Sequence, residues 1–162
     1  MDMSMYDFFD AGIRGGMTFV NKHHVKASED VQIMYIDINN LYGYAMTQYL
    51  PKGDFQWVYD ESELAEILSV LNSNIDISEW QFGCYVEVDI DIPETVHDFL
   101  NEMPVAPEKL CPPGTNIEKL MMTLGPKRNY PVHWRTLQFH ILWGVSCVSD
   151  LVGYLLNSLT CA

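Results

Sequence analysis

The sequence predicts an α+β domain with a few antiparallel strands and helices packed on one face. From Trp80 to Ile92, apolar residues alternate with polar ones, which is typical of a half-buried strand. After Asp60, leucine and isoleucine recur every three or four residues up to Leu71, which is typical of an amphipathic helix. Asp60 and Glu63 form an acidic capping box in front of this helix. Because 48% of the 162 residues are hydrophobic, the chain has enough apolar material for a core.

The net charge and the cysteine pattern argue against an independent nucleic-acid-binding protein and against a secreted one. The chain has 22 acidic and 9 basic residues, and its net charge of -13 has the wrong sign for holding a phosphate backbone unaided. This balance fits a solvated surface, metal coordination, or a segment whose basic partners lie elsewhere in a longer protein. The four cysteines are dispersed and the N-terminus has no apolar leader, so we expect a reducing, intracellular setting and no secretion.

A membrane role is disfavoured by one residue in the apolar C-terminal region. The chain from Phe139 to Cys161 is apolar, but Asp150 lies near its middle. An aspartate there would cost about 2.5–3.5 kcal/mol on membrane insertion. We therefore expect a buried or partner-facing segment, with no membrane partner.

The remaining elements follow from local patterns, taken in chain order. Met5 to Ile13 has a rough helical face, and Gly15-Gly16 ends it. Met17 to Val20 reads as a short strand and Asn21 to Asp30 as a polar loop. A turn is expected at Leu50 to Gly53.

The second half of the chain has weaker patterns. Phe55 to Val58 reads as a short strand, Cys111 to Gly114 as a loop and Ile117 to Leu124 as a short helix. Lys127 to Tyr130 is the densest basic patch, for which a solvated loop is favoured over phosphate contact. From Val132 to Phe139 the chain leads into a helix.

The stretch from Met34 to Met46 is the strongest candidate for chemistry. An apolar run with strand-forming side chains leads to a single carboxylate, Asp37. Asn39 and Asn40 can then turn the chain or cap a helix. A helical face follows from Leu41 onward. A carboxylate at a strand-to-helix corner is well placed to hold a metal at the floor of a cleft.

This stretch resembles a known polymerase motif. Asp37-x-x-Asn40-Leu41-Tyr42-Gly43 is similar to the first palm motif of family B DNA polymerases, in the form found in viral, organellar and Maverick/Polinton-type protein-primed enzymes. Arg14-Gly15-Gly16 resembles the Tyr-x-Gly-Gly loop of protein-primed members, with Ile13 in place of the tyrosine. A Leu-Pro-x-Gly run from Leu50 and a Pro-x-Ala-Pro-Glu run from Pro104 are also similar to the family.

The resemblance implies a partial polymerase palm with a segment inserted between the first and second palm motifs. In this organisation, residues 1–30 form the junction loop and the lead-in to the palm. Residues 31–58 form the first palm motif as strand, helix and strand, and residues 59–144 form an inserted, terminal-protein-like region. Residues 145–162 form a divergent apolar C-terminal segment.

The resemblance also implies roles for individual residues. Asp37 would be the catalytic metal ligand for Mg²⁺ or Mn²⁺, with two ions in the complete enzyme. The predicted nucleotide-binding residues are Ile38, Asn39, Asn40, Leu41 and Tyr42. Tyr42 would exclude a 2′ hydroxyl by steric clash. The predicted DNA-binding residues are Arg14, Gly15, Gly16, Lys127 and Arg128.

The implied partners are a DNA template-primer, a deoxynucleoside triphosphate, the remainder of the polymerase chain and a terminal protein primer. The nucleus and a viral replication site are both compatible locations. The sequence contains no Lys-x-x-x-Asn-Ser-x-Tyr-Gly motif and no Asp-Thr-Asp motif. We therefore expect little or no polymerase activity from the isolated chain.

Two alternatives remain open at this point. One is a stand-alone acidic metal-binding domain that uses Asp37 with the three carboxylates of the alternating strand, Glu87, Asp89 and Asp91. A solvent-facing role for those three carboxylates is the more common outcome. The other is a non-enzymatic interaction module that presents the apolar C-terminal segment to a partner.

Overall fold

A computed structural model describes residues 3–20, 22–72 and 82–161. Its helices are α1 (Met3–Gly12), α2 (Leu41–Met46), α3 (Glu61–Asn72), α4 (His97–Leu100) and α5 (Trp134–Leu142). Its strands are β1 (Tyr49–Val58), β2 (Phe82–Asp91), β3 (Glu108–Leu110), β4 (Lys119–Met121), β5 (Lys127–His133) and β6 (Ser146–Cys161). A single 3₁₀ turn, Glu94–Val96, precedes α4. The predicted α+β class with antiparallel strands is confirmed.

Four strands form one antiparallel sheet in the order β1-β6-β2-β5, and β3 pairs with β4 in a separate two-stranded sheet. The four-stranded sheet takes strands from three of the four segments expected from the sequence, with β1 in 31–58, β2 and β5 in 59–144, and β6 in 145–162. The apolar C-terminal region therefore supplies an inner strand of the sheet.

The predicted alternation of β2 is confirmed. Its buried side chains are Cys84, Val86, Val88 and Ile90, and the pattern continues to Ile92 just beyond the strand. The intervening carboxylates, Glu87, Asp89 and Asp91, are partly exposed. These buried residues belong to the main hydrophobic cluster, so β2 is the strand around which the core forms. Burial also raises the pKa of the Cys84 thiol to about 12.

Helices α3 and α5 cover the buried face of β2. The Asp60 carboxylate accepts hydrogen bonds from the backbone N–H groups of Ser62 (2.9 Å) and Glu63 (3.3 Å), which confirms the predicted cap of α3. These hydrogen bonds, with one from the Ser62 hydroxyl, lower the pKa of Asp60. Ile67 of α3 packs against the core, and Leu137 of α5 is fully buried in it.

Helix α1 lies on the other face of the sheet. Phe9 meets the Tyr85 ring edge-on at 4.5 Å, and Phe8 meets the Trp57 ring at 5.2 Å. A Cβ at Gly12 would lie 2.7 Å from Tyr85 Cε1, so only glycine allows the end of α1 to approach so closely. The predicted N-terminal helix is thus confirmed, and aromatic contacts hold it in place.

Several local predictions are wrong. Neither 31–37 nor Met17–Val20 is a strand, and both are irregular and largely exposed. The turn expected from Leu50 to Gly53 lies within β1, with irregular pairing on each side of Gly53. The segment expected to be helical from Ile117 to Leu124 contains strand β4, and the solvated loop expected at Lys127 is strand β5.

These differences have one physical cause. A strand needs a partner with free backbone N–H and C=O groups, and that partner lies outside the short stretch from which a turn or a helix is predicted. Leu50 to Gly53 pairs with β6 and Lys119 to Met121 with β3, and this pairing overrides the local turn and helix preferences. Within the described part of the chain, residues 31–37 have strand-forming side chains but no strand beside them.

Two further observations concern the chain's setting. In the described residues, no helix combines the length and apolar character that crossing a membrane requires. Cys84, Cys111 and Cys147 are free thiols.

A buried lysine fastens the β3–β4 sheet to β5. Lys127 is 1% exposed, and its Nζ lies 2.7 Å from Glu108 Oε1. The same ammonium donates to the Thr123 carbonyl at 3.1 Å and contacts the Thr123 hydroxyl. The Thr123 hydroxyl in turn donates to Glu108 at 2.9 Å. The charge is therefore fully compensated although it lies in the interior.

We predict that Glu108→Ala lowers the free energy of unfolding by about 2–3 kcal/mol, because it leaves the Lys127 ammonium buried without a carboxylate. Urea unfolding followed by tryptophan fluorescence measures the change. Lys22→Ala is the matched control, since it breaks the exposed Lys22–Glu102 ion pair and should cost no more than about 0.5 kcal/mol. Equal effects of the two substitutions would contradict the role of the buried pair.

Candidate functional site

Asp37 lies at the end of an exposed, irregular segment rather than at the end of a strand. Its neighbour Tyr35 is 95% exposed, and the apolar side chains of Ile36 and Ile38 are also largely exposed. In the described residues, no hydrogen bond or ion pair joins Asp37 to Arg14, Lys127 or Arg128. The predicted metal ligand is thus accessible to solvent.

Asn40 caps helix α2, as the sequence predicted for one of the two asparagines. It adopts a left-handed backbone conformation with φ 54°, which asparagine tolerates better than most residues. Its side-chain oxygen accepts a hydrogen bond from the Gly43 N–H at 3.3 Å, and its carbonyl accepts one from the Tyr44 N–H at 3.0 Å. The chain therefore turns at Asn40 and starts a helix directly after it.

The cap explains the glycine of the motif. A Cβ at Gly43 would lie 2.7 Å from Cγ of Asn40, inside the distance that real Cβ contacts show. Asn40 and Gly43 are therefore coupled, since a side chain at residue 43 would displace the amide that caps the helix. This arrangement leaves Tyr42 88% exposed, next to the cap and five residues after Asp37.

Arg14 lies against the sheet, and its guanidinium has partners within the protein. Nη1 donates to the Pro131 carbonyl at 2.8 Å and to the Gly12 carbonyl at 3.2 Å, and Cζ lies 3.7 Å above the centre of the Tyr130 ring. Burial lowers the pKa of Arg14. These contacts hold the start of the following loop at the edge strand β5.

Gly15 and Gly16 follow this anchor and are exposed. A Cβ built on either residue would have no neighbour within 4 Å. Neither glycine has a left-handed φ. Within the described structure, the surroundings of both positions leave space for a larger side chain.

The two basic residues that begin β5 point to different partners. The Lys127 ammonium is buried and lies 2.7 Å from the Glu108 carboxylate. Arg128 is half exposed, with Nη2 2.9 Å from the Asp91 carboxylate and Nε 3.6 Å from that of Asp89. The DNA-binding role of Lys127 stays a prediction, and its burial is a feature that the sequence did not indicate.

Two of the three carboxylates of β2, Asp89 and Asp91, have partners within the protein itself. Asp89 pairs with Arg128 and also accepts the Asn129 backbone N–H at 2.9 Å. Asp91 completes the contact with Arg128. In the part of the chain that the structure describes, no group of three or more histidine, cysteine, aspartate or glutamate residues could hold a metal ion. The metal site proposed for Asp37 with these strand carboxylates is therefore not formed.

Two histidines lie at α5, His133 partly buried and His140 buried, and the sequence indicated no chemical role for either. His133 Nδ1 accepts the Arg135 backbone N–H at 3.3 Å and thereby caps α5. His140 lies within α5 and is 3% exposed, and its Nδ1 has no hydrogen-bond partner in the described residues. Burial, with smaller effects from Arg135 and Arg14 respectively, lowers the pKa of each imidazole to about 4. The helical periodicity of Trp134, Leu137 and His140 could have indicated a buried face.

The family of the chain is shown by comparison with known families. The model of the family described as DNA polymerase type B, organellar and viral, matches residues 1–135. The chain therefore belongs to this family, whose members are DNA polymerases. The matched region contains the Asp37–Gly43 motif, Arg14-Gly15-Gly16 and all of β5. No curated protein and no solved structure matches the chain.

We predict that Arg14→Ala lowers the free energy of unfolding by about 1–2 kcal/mol, because a charge-assisted hydrogen bond and a ring contact are lost together. Arg14→Lys should recover only part of this, since an ammonium cannot stack as a planar guanidinium does. Urea unfolding gives the values. Lys26→Ala, which removes one exposed positive charge, serves as the control. If Arg14→Ala changes the free energy of unfolding no more than Lys26→Ala does, Arg14 does not anchor the loop.

We also predict that the protein loses stability as the pH falls from about 6.5 towards about 4. His133 and His140 each have a folded pKa of about 4 against an ordinary value of 6.5, so the unfolded chain binds more protons in this range. Each contributes up to about 1.4 kcal/mol per pH unit. Urea unfolding across this range should show a shallower pH dependence in His140→Gln than in the parent. An identical slope would refute a neutral, buried His140.

Proposed function

We propose that this chain supplies the first carboxylate-bearing motif of the nucleotidyl-transfer site in a protein-primed, Maverick/Polinton-like family B DNA polymerase. The family match across the Asp37–Gly43 motif is the observation that carries the proposal. The exposure of Asp37 and Tyr42 beside the Asn40 cap supports it, because residues that meet a nucleotide must be accessible.

Under this proposal, the residues of the motif divide the work by their chemistry. Asp37 contributes an oxygen ligand to a divalent ion, for which carboxylates are suited. Ile38, Asn39 and Leu41 lie beside the incoming nucleotide, with Asn40 fixing the turn between them. Tyr42 presents an aromatic ring to the sugar and excludes a 2′ hydroxyl by its bulk.

The described residues do not by themselves fit a two-ion site. Such a site requires carboxylates from more than one segment to converge, and the motif brings only Asp37. The remaining ligands for Mg²⁺ or Mn²⁺ would come from the rest of the polymerase, so the isolated chain would have little or no activity.

DNA contact is proposed for the loop at Gly15 and Gly16, which is exposed, with Arg14 as its anchor. Of Lys127 and Arg128, Arg128 is the one exposed to solvent, and it already forms ion pairs with Asp89 and Asp91. With a net charge of -13, most phosphate contacts would come from outside this chain. A template-primer, a deoxynucleoside triphosphate and a terminal protein would be the partners, in a nuclear or viral replication setting.

Photo-crosslinking tests the nucleotide site without requiring catalysis. We predict that an azido-substituted deoxynucleoside triphosphate with Mn²⁺ labels the peptide containing Asp37 to Gly43, and that Asp37→Ala reduces the labelling several-fold. Glu87→Gln is the matched control, because it removes a carboxylate outside the motif. Equal labelling of the parent and Asp37→Ala would contradict the metal-ligand role. In primer extension, robust incorporation by the isolated chain would contradict its proposed incompleteness.

A further inference from the structure

A cavity of about 420 Å³ lies between α4, the loop that follows it and α5. Its volume is within the range of known ligand pockets. Its walls are mainly apolar and include Leu100, Val105 and Ala106, which are buried. Ala106 holds a left-handed backbone conformation with φ 53°, which costs an alanine about 1–2 kcal/mol. The backbone therefore has a specific, uncommon conformation at this wall of the cavity.

The mouth of this cavity carries exposed aromatic side chains. Phe99, which is 62% exposed, stacks on Trp143 with ring centres 4.9 Å apart and an angle of 17°. Phe139 contacts the same indole at 5.7 Å, and Met103 lies exposed beside them. A contiguous apolar surface of this kind is typical of a protein-binding site, where aromatic side chains supply much of the binding energy.

The cavity also contains one polar group without a partner in the described residues. His140 lines it, and its buried Nδ1 has no hydrogen bond there. Because burial lowers the pKa of His140 to about 4, the ring is neutral near neutral pH and carries one donor and one acceptor nitrogen. The lining is therefore uncharged at its base and can accommodate an apolar or weakly polar group.

The charges around the mouth select against anions. Glu102 lines the cavity and is exposed, and Glu94 and Asp98 are exposed on the adjoining 3₁₀ turn and α4. Lys22 forms an ion pair with Glu102. After Arg135 the sequence has no lysine or arginine. Together with the net charge of -13, this disfavours a phosphate backbone or a second copy of this acidic chain.

We propose that this cavity binds a basic amphipathic helix of a partner protein. Apolar side chains along one face of the helix would enter the cavity beside Phe99 and Trp143. Lysine or arginine residues flanking that anchor would face Asp98 and Glu94. The apolar wall accounts for the anchor and the acidic rim accounts for its flanking charge, so the two observations select one kind of occupant. The proposal does not depend on the polymerase function.

Fluorescence anisotropy with the full chain tests the site. The probe is a labelled peptide of about 16 residues with leucine at i, i+4 and i+7 and mostly lysine elsewhere. We expect Phe99→Ala to weaken its binding about tenfold, as loss of an interface anchor does. Leu142→Ala is the matched control, since Leu142 is equally exposed on α5 but does not line the cavity. It should leave the affinity unchanged.

Two further probes separate the occupants. A peptide with glutamate in place of lysine, and one with serine in place of leucine, should each bind at least tenfold more weakly. If the glutamate peptide binds as tightly as the lysine peptide, the acidic rim does not select a basic partner. If Leu142→Ala weakens binding as much as Phe99→Ala does, the peptide does not bind at this cavity. A single-stranded oligonucleotide that binds more tightly than the lysine peptide, and loses affinity in Phe99→Ala, would assign the cavity to nucleic acid instead. Absence of peptide binding would also overturn the proposal.

Discussion

Burial of one face of β2 is the interaction on which the rest of the described fold depends. β2 pairs with β6 on one side and β5 on the other, so it fixes the position of both. Val86, Val88 and Ile90 are almost fully buried, and each contributes about 1.5–3 kcal/mol through removal of apolar surface from water. A shift of one residue in register would bring the carboxylates inside, so the alternating sequence also fixes the pairing.

The same pairing determines where the basic residues of β5 go. Lys127 and Arg128 are adjacent in the strand and therefore point to opposite faces. Lys127 lies on the buried side with Glu108, whereas Arg128 meets Asp89 and Asp91 of the neighbouring strand. The densest basic patch of the sequence thus neutralises carboxylates of its own fold. Composition alone could not show whether a lysine or arginine binds DNA or pairs with a carboxylate of its own fold.

The sequence predicted those elements whose reasons are local. β2 and α3 were predicted because an alternating face and a capping carboxylate can both be recognised within a dozen residues, and Asn40 was predicted to cap for the same reason. Leu50 to Gly53 was mispredicted because pairing with β6, about a hundred residues later, outweighs the turn preference. The cavity at His140 was missed because α4 and α5 contribute to it from separate parts of the chain.

The segment before Asp37 connects the fold to the proposed function. Tyr35 and its apolar neighbours face water, and burying such side chains against another strand would release free energy. Pairing with a strand would also restrict the backbone on the N-terminal side of Asp37. Under the proposed function, strand pairing and metal binding are therefore linked: a partner strand that buries Tyr35 and Ile36 would also orient Asp37. The Asn40 cap already fixes the helical side of the motif, and such a partner strand would fix the other side.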